Sequence, residues 1–128
     1  MLVVSAAVVA RDGRIMVCQR LPGVHNGLKW EFPGGKLEPG ETPEQALARE
    51  LSEELSIDVA VGRIVDAVYH RYADREVLVL FYRCSITSGE PVPADCNAIA
   101  WARPEALSGF DFAGADRVFV DRNPELLA

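Results

Sequence analysis

Apolar residues fill two short runs near the start of the chain, Leu2–Ala10 and Arg14–Gln19. Asp12 and Gly13 separate the runs, and an Asp-Gly pair between apolar segments is a strong signal for a β-hairpin. We therefore predict that the chain begins with two antiparallel strands. Four further extended segments are predicted from their apolar and β-branched residues: Trp30–Phe32, Ala60–Tyr72, Glu76–Ile86 and Ala98–Ala102.

The segment after Glu41 has both the periodicity and the end signals of a helix. Thr42 is a suitable N-cap, Pro43 fits the first helical position, and Gln45 completes a capping box. Leucines recur at every fourth position and form one apolar stripe: Leu47, Leu51 and Leu55. The stripe can dock the helix on a sheet and leave its other faces free.

Two more helices are predicted near the end of the chain, at Arg103–Leu107 and Ala115–Arg122. Pro33, Gly34 and Gly35 are expected to interrupt regular structure before the first helix. Strands and helices interleave without the regular spacing of repeated βαβ units. A mixed β-sheet flanked by helices, of the α/β class, fits this order best.

Three glutamates of the first helix share one side: Glu50, Glu53 and Glu54. A helix turns by ~100° per residue, so positions i, i+3 and i+4 lie close together. The three carboxylates repel one another, and Arg49 alone does not neutralise them. A hard divalent cation would, because Mg²⁺ and Mn²⁺ prefer oxygen ligands. This helix face therefore favours a divalent metal site.

Composition narrows the possible partners. The chain has 128 residues, 49% of them hydrophobic and 25% charged, which suits one domain spanning residues 1–128. The net charge of -6 disfavours nucleic acid polymers and anionic membranes, while a small anionic substrate remains compatible. No apolar run is long enough to span a membrane, and no basic leader precedes the first strand, so we expect a cytoplasmic protein.

The three cysteines, Cys18, Cys84 and Cys96, show no spacing typical of a zinc site. Reduced and partly buried thiols are the simplest interpretation of them. His25 and His70 are isolated in the sequence, and Trp30 and Trp101 are most simply core residues.

The stretch from Gly35 to Ile57 resembles the signature of the Nudix hydrolase family. The matching positions are Gly35, Glu41, Arg49, Glu50, Leu51, Glu53, Glu54 and Ile57, and Ser56 stands where the family has glycine. The preceding residues Trp30–Gly34 resemble the MutT branch. The resemblance implies an α/β/α sandwich and hydrolysis of a nucleoside diphosphate linked to another group.

The resemblance also implies roles for individual residues. Glu50, Glu53, Glu54 and the carbonyl of Gly35 would bind Mg²⁺, or Mn²⁺ in its place, while Glu41 and Arg49 would support these ligands. Asp95 lies where MutT-like proteins often have a loop glutamate near the metals. The general base is left open between Glu53 and Asp95, with Glu50 a weaker candidate. Two basic residues would contact the phosphates: Arg20 and Lys36.

Base recognition is expected from other parts of the chain. Asp116 resembles a MutT-branch residue that contacts the nucleobase, although an aspartate at a helix N-terminus is also favoured by the helix dipole alone. Its carboxylate would accept hydrogen bonds from the exocyclic amine of cytosine or guanine. Tyr72, Val77 and Val3 are further candidates for packing the base, and core packing is the alternative for each.

The expected activity is Mg²⁺-dependent hydrolysis of a nucleoside triphosphate to a monophosphate and pyrophosphate. The expected cellular role is nucleotide-pool sanitation, with 8-oxo-dGTP or a cytidine nucleotide, with or without a modified base, as substrate. One alternative is hydrolysis of ADP-ribose or another nucleoside diphosphate derivative, and another is a non-catalytic binding domain of the same fold. Both a monomer and a homodimer remain open.

Overall fold

The computed structural model describes residues 1–125. The strands are β1 (Leu2–Arg11), β2 (Arg14–Gln19), β3 (Trp30–Glu31), β4 (Gly34–Lys36), β5 (Asp58–Arg71), β6 (Glu76–Ser88) and β7 (Ala98–Ala102). The α-helices are α1 (Pro43–Leu55) and α2 (Gly114–Arg122), and a 3₁₀ helix spans Pro104–Gly109. No helix in residues 1–125 is long and apolar enough to cross a membrane.

Strand β1 is the centre of a mixed sheet. It pairs antiparallel with β2 and β4 and parallel with β6, which in turn pairs antiparallel with β5. Strand β2 continues the sheet on the other side, where it pairs with β3 and β7. The parallel β1–β6 pair requires a long crossover, and that crossover carries α1.

Each face of the sheet is covered by a helix, so the fold is an α/β/α sandwich as predicted. The leucines at positions 47, 51 and 55 of α1 are almost completely buried and pack with Ala7 and Val9 of β1. On the opposite face, Phe119 of α2 stacks on Phe81 of β6 with ring centroids 4.0 Å apart. Burial of each such large apolar side chain contributes roughly 1.5–3 kcal/mol to folding.

The predicted interruption at Pro33–Gly35 is confirmed only at Pro33, because Gly34 and Gly35 belong to β4. A Cβ atom added at Gly34 would lie 2.8 Å from Cα of Ala6 and collide with the carbonyl of Ser5. The glycine therefore lets β4 approach β1 more closely than another residue could. The segment predicted as strand at Ala60–Tyr72 begins earlier, at Asp58, and Arg103–Leu107 forms a 3₁₀ rather than an α-helix.

The predicted start of α1 is confirmed. The Thr42 side chain accepts a hydrogen bond from the backbone N–H of Gln45, and the Gln45 side chain accepts one from the N–H of Thr42. The helix ends at Ser56, which has left-handed backbone angles of φ 59° and ψ 37°. Glycine adopts this conformation without the strain that a Cβ introduces, so Ser56 weakens the helix end.

We expect Ser56→Gly to raise the free energy of unfolding by about 0.5–1 kcal/mol, because it removes this strain. Urea denaturation of the metal-free protein measures the change. Ser52→Gly is the matched control, since Ser52 is an exposed residue within the same helix. There glycine should lower stability by about 0.5 kcal/mol. Destabilisation by both substitutions would show that the left-handed Ser56 carries no strain.

Candidate active site

Glu50 lies directly against the backbone of Gly35, where α1 passes β4. A Cβ atom added at Gly35 would stand only 2.6 and 2.7 Å from the two carboxylate oxygens of Glu50. Real Cβ atoms do not come this close to other atoms, so a side chain at position 35 would force the Glu50 carboxylate to move away. The glycine thus brings a carboxylate and a main-chain segment into one small space.

Arg49 organises the acidic residues around this contact. Its Nε donates to Glu41 Oε2 at 2.7 Å, and its Nη2 donates to Glu41 Oε1 at 3.0 Å. Its Nη1 lies 3.1 Å from Glu50 Oε1 and 3.4 Å from Glu53 Oε2. The hydrogen bonds from Arg49 lower the pKa of Glu41, which therefore stays ionised and fixes the guanidinium in place. This geometry agrees with the supporting roles predicted for Glu41 and Arg49.

Glu54 faces a cavity of about 270 Å³, which we call the carboxylate cavity. Burial raises the pKa of Glu54, and its hydrogen bond with Glu50 and the negative charges of Glu50, Glu31 and Asp95 raise it further. The carboxyl group of Glu54 therefore favours its protonated form in the absence of a metal. The other lining residues are Cys18, Arg20, Leu21, Val24, Glu31, Pro33, Gly34, Leu55, Asp95 and Cys96.

The donors gathered here suit a hard divalent cation. Two carboxylates in contact and an adjacent glycine backbone supply oxygen ligands, which Mg²⁺ and Mn²⁺ prefer. As the side chains stand, no group of three or more His, Cys, Asp or Glu residues within positions 1–125 is arranged around one metal point. Glu53 is the predicted ligand that lies apart, because its 61% exposed carboxylate is directed towards Arg49.

A second cavity of about 150 Å³ contains three of the residues predicted to contact the base, Asp116, Tyr72 and Val77. We call it the base cavity. Asp116 Oδ1 accepts a hydrogen bond of 3.4 Å from the N–H of Phe32. Burial, and then the charge of Glu31, raise the pKa of Asp116 to about 8. Its carboxyl group can therefore hold a proton near neutral pH.

Arg20 and Glu31 connect the two cavities, since both residues line both of them. Arg20 Nη1 lies 2.9 Å from Glu31 Oε1, and Arg20 Nε donates to the carbonyl of His25 at 2.9 Å. Burial raises the pKa of Glu31, and its ion pair with Arg20 lowers it in part. The guanidinium is thus a positive charge held between the carboxylate cavity and the base cavity.

Of the residues predicted to contact the phosphates or the base, Val3 and Lys36 line neither cavity. Val3 is absent from the lining of the base cavity, whereas its neighbours Leu2 and Val4 line it, because successive strand residues face opposite sides of a sheet. Lys36 is exposed, and its backbone carbonyl accepts a hydrogen bond from Arg49. Asp95 does line the carboxylate cavity, from the loop before β7.

Glu31 is the residue that the sequence analysis missed. Its carboxylate influences the pKa of Glu54, of Asp116 and of Cys18, so it lies near both cavities at once. The available signal was an acidic residue between two aromatic residues, Trp30 and Phe32, in a segment predicted as a strand. A charge in such a position is costly unless it is paired, and Arg20 is the partner.

The family model of the NUDIX domain matches residues 1–122 of the chain. The chain belongs to the Nudix family. Its relatives are named as hydrolases of the MutT type, so this Nudix protein is a MutT-type Nudix hydrolase. Members of the family generally use divalent metal ions, in agreement with the oxygen donors at Glu50, Glu54 and Gly35.

Two curated relatives illustrate the similarity. This Nudix hydrolase is 35% identical to the CTP pyrophosphohydrolase of Escherichia coli K12, over 91% of this chain and 86% of the relative. It is 45% identical to an 8-oxo-dGTP diphosphatase of Proteus vulgaris, over 62% of this chain and 71% of the relative. The solution structure of the E. coli ORF135 protein superimposes with a TM-score of 0.83 at 33% identity, covering 94% of this chain and 86% of that one.

Asp116 makes the stability of the ligand-free protein depend on pH. Its folded-state pKa of about 8 exceeds the ordinary value of 3.8, so the folded state binds more protons than the unfolded state between these values. Stability therefore falls as pH rises through this window. Asp116→Asn removes this contribution, and its amide oxygen can still accept the Phe32 hydrogen bond.

We expect the free energy of unfolding to decline less between about pH 5 and pH 8 in Asp116→Asn than in the parent protein. Urea denaturation at several pH values measures the decline. Part of it remains in Asp116→Asn, because burial also raises the pKa of Glu54 and Glu31. Asp121→Asn on the same helix is the control, since Asp121 is exposed. Equal slopes for the parent and Asp116→Asn would contradict a buried, protonated Asp116.

Proposed function

We propose that the protein is a Mg²⁺-dependent pyrophosphohydrolase that converts a nucleoside triphosphate to a monophosphate and pyrophosphate. The observation that supports the proposal most directly is that the carboxylate cavity and the base cavity lie side by side and share the lining residues Arg20 and Glu31. A carboxylate site for metal and phosphate thus lies beside a pocket whose lining combines apolar residues with polar ones, among them the buried Asp116. A nucleotide has the same division into a charged chain and a flat base.

Glu50, Glu54 and the carbonyl of Gly35 would hold the metal, and Glu53 would join them after rotating away from Arg49. A bound Mg²⁺ would supply neutralisation of the phosphate charge and activation of water. Arg20 lines both cavities and contributes a fixed positive charge between them. The phosphate chain of a bound nucleotide would begin at this point. Glu41 would keep Arg49 oriented, and Arg49 in turn would keep Glu50 in place.

Asp95 is the general base that we propose. It lines the carboxylate cavity from an exposed loop, and it is one of the charges that act on Glu54. Glu53 is engaged with Arg49, and Glu54 is directed towards Glu50. A base must come within hydrogen-bonding reach of the attacking water, and Asp95 can do so without giving up another partner.

Asp116 would select the base. A carboxyl group with a pKa near neutral can accept a hydrogen bond from an exocyclic amine and donate one to an adjacent ring nitrogen, and cytosine presents such a pair. Guanine derivatives also carry an exocyclic amine. The names of the relatives, CTP pyrophosphohydrolase and 8-oxo-dGTP diphosphatase, support both classes of substrate. Such an enzyme would serve in nucleotide-pool sanitation in the cytoplasm.

Glu54→Gln should lower pyrophosphate release in the presence of Mg²⁺ by about 10²-fold or more, because an amide is a poor ligand for a hard cation. A coupled phosphate assay measures the rate. Glu44→Gln is the control, since Glu44 is an exposed acid in the first turn of the same helix. Equal rates for the two variants would remove Glu54 from the metal site.

Rates of hydrolysis for a panel of nucleotides should distinguish the possible substrates. The panel contains 8-oxo-dGTP, dGTP, CTP, dCTP, 5-methyl-dCTP, dTTP and ADP-ribose. We expect the highest kcat/KM with a cytosine or an oxidised guanine nucleotide, and a lower value with dTTP, because thymine lacks an exocyclic amine for Asp116. Chromatography of the products identifies the bond that is cleaved. Turnover of ADP-ribose alone would contradict the proposed triphosphate substrate.

A further inference from the structure

Two cysteines, Cys18 and Cys96, line the carboxylate cavity together. Both pack in the core cluster on the α1 side of the sheet, each thiol influences the pKa of the other, and the Cys96 thiol lies 3.5 Å from the carbonyl oxygen of Ala98. Cys18 is buried at the end of β2, while Cys96 is partly exposed in the loop before β7. One thiol is therefore fixed in the sheet, and the other is reachable from the cavity.

The backbone holds the segment of Cys96 beside β2. Strands β2 and β7 pair antiparallel, with Gln19 opposite Ala98. The next residue towards the loop, Asn97, donates its backbone N–H to the carbonyl of Gln19 at 2.8 Å, and its side chain donates to Gln19 Oε1 at 2.8 Å. The register places Ile99 opposite Cys18, and Cys96 lies in the loop segment that this pairing anchors beside the end of β2.

The third cysteine provides an internal contrast. Cys84 is buried on β6, its thiol is directed to the carbonyl of Tyr82, and it is absent from the lining of both cavities. It belongs to the same core cluster on the α1 side of the sheet as Cys18 and Cys96, but it lines neither cavity. Oxidation should therefore distinguish the cavity pair from Cys84.

We propose that Cys18 and Cys96 form a reversible disulfide in the wall of the active-site cavity when the protein meets a hydroperoxide. The sulfur of Cys96 attacks the outer peroxide oxygen, the O–O bond breaks, and the departing oxygen takes the thiol proton. The products are a sulfenic acid and an alcohol, or water when the oxidant is hydrogen peroxide. The sulfur of Cys18 then displaces the sulfenic hydroxyl group, which takes the proton of the Cys18 thiol and leaves as water. Two thiols are oxidised by two electrons, and one peroxide is reduced.

Closing the bond requires a small movement. A disulfide needs the two sulfur atoms about 2.05 Å apart, which is shorter than the distance between two thiols that are not covalently bonded. Cys18 cannot move far, because its strand pairs with β7 on one side and with β3 on the other. The movement falls on Cys96 and its exposed loop neighbours, among them Asp95.

The disulfide would reduce catalysis, a consequence that rests on the proposed function. Asp95 is adjacent to Cys96, and a covalent link to β2 would hold its backbone against the cavity wall. Displacement of a catalytic group by about 1 Å can slow a reaction about 10²-fold. We expect pyrophosphate release to fall at least about tenfold on oxidation and to return with dithiothreitol.

Mass spectrometry tests the bond without reference to activity. The full-length reduced protein is treated with hydrogen peroxide, alkylated with iodoacetamide and digested. We expect a linked peptide pair containing Cys18 and Cys96, with Cys84 alkylated after unfolding. Cys84→Ala should give the same linked pair, and Cys96→Ser should give none. Irreversible oxidation of Cys96 without a linked pair, or a link that includes Cys84, would overturn the proposal.

Kinetics then test the consequence, with each variant compared with its own reduced form. The oxidised-to-reduced rate ratio should fall in the parent and in Cys84→Ala and stay near one in Cys18→Ser and Cys96→Ser. An unchanged ratio in a parent protein that carries the linked pair would overturn the regulatory effect. Lack of turnover in the reduced parent would count against the proposed function instead, while the linked peptide would still stand.

Discussion

The contact between Glu50 and Gly35 is the constraint on which the rest of the site depends. It brings a carboxylate against a main-chain segment, and a side chain at position 35 would occupy the same space. Arg49 contacts Glu50 from the other side, and its ion pair with Glu41 holds the guanidinium in place. Glu54 belongs to the same cluster through its hydrogen bond with Glu50. The charges remain unbalanced around Glu50 and Glu54, and a divalent cation would balance them.

The fold places the residues proposed for chemistry and those proposed for base recognition on opposite faces of the sheet. Helix α1 packs on one face of the sheet and presents the glutamates, while α2 packs on the other face and presents Asp116. Arg20 and Glu31, at the ends of β2 and β3, lie where these two environments meet. A change in base preference can therefore arise around α2 without disturbing the residues proposed to hold the metal.

Local patterns in the sequence were sufficient for α1 and most strands, because capping residues, the leucine stripe and the Asp-Gly turn act over a few positions. Strand β4 was missed, since its pairing depends on a close approach to Ser5 and Ala6 that no local pattern reveals. Glu31 was missed for a similar reason: its importance comes from neighbours distant in sequence. Val3 was predicted to pack the base, but its neighbours Leu2 and Val4 line the base cavity instead. Successive strand residues face opposite sides of a sheet, so a shift of one residue changes the face.

Binding of Mn²⁺, followed by electron paramagnetic resonance in the absence of nucleotide, tests the central claim most directly. Gly35→Ala should bind Mn²⁺ at least about tenfold more weakly than the parent protein, because the added Cβ displaces Glu50. Gly109→Ala is the control, since an added Cβ there meets no atom within 4 Å. Equal affinity of the folded Gly35→Ala and Gly109→Ala variants would contradict the claim that the space at Gly35 creates the metal site.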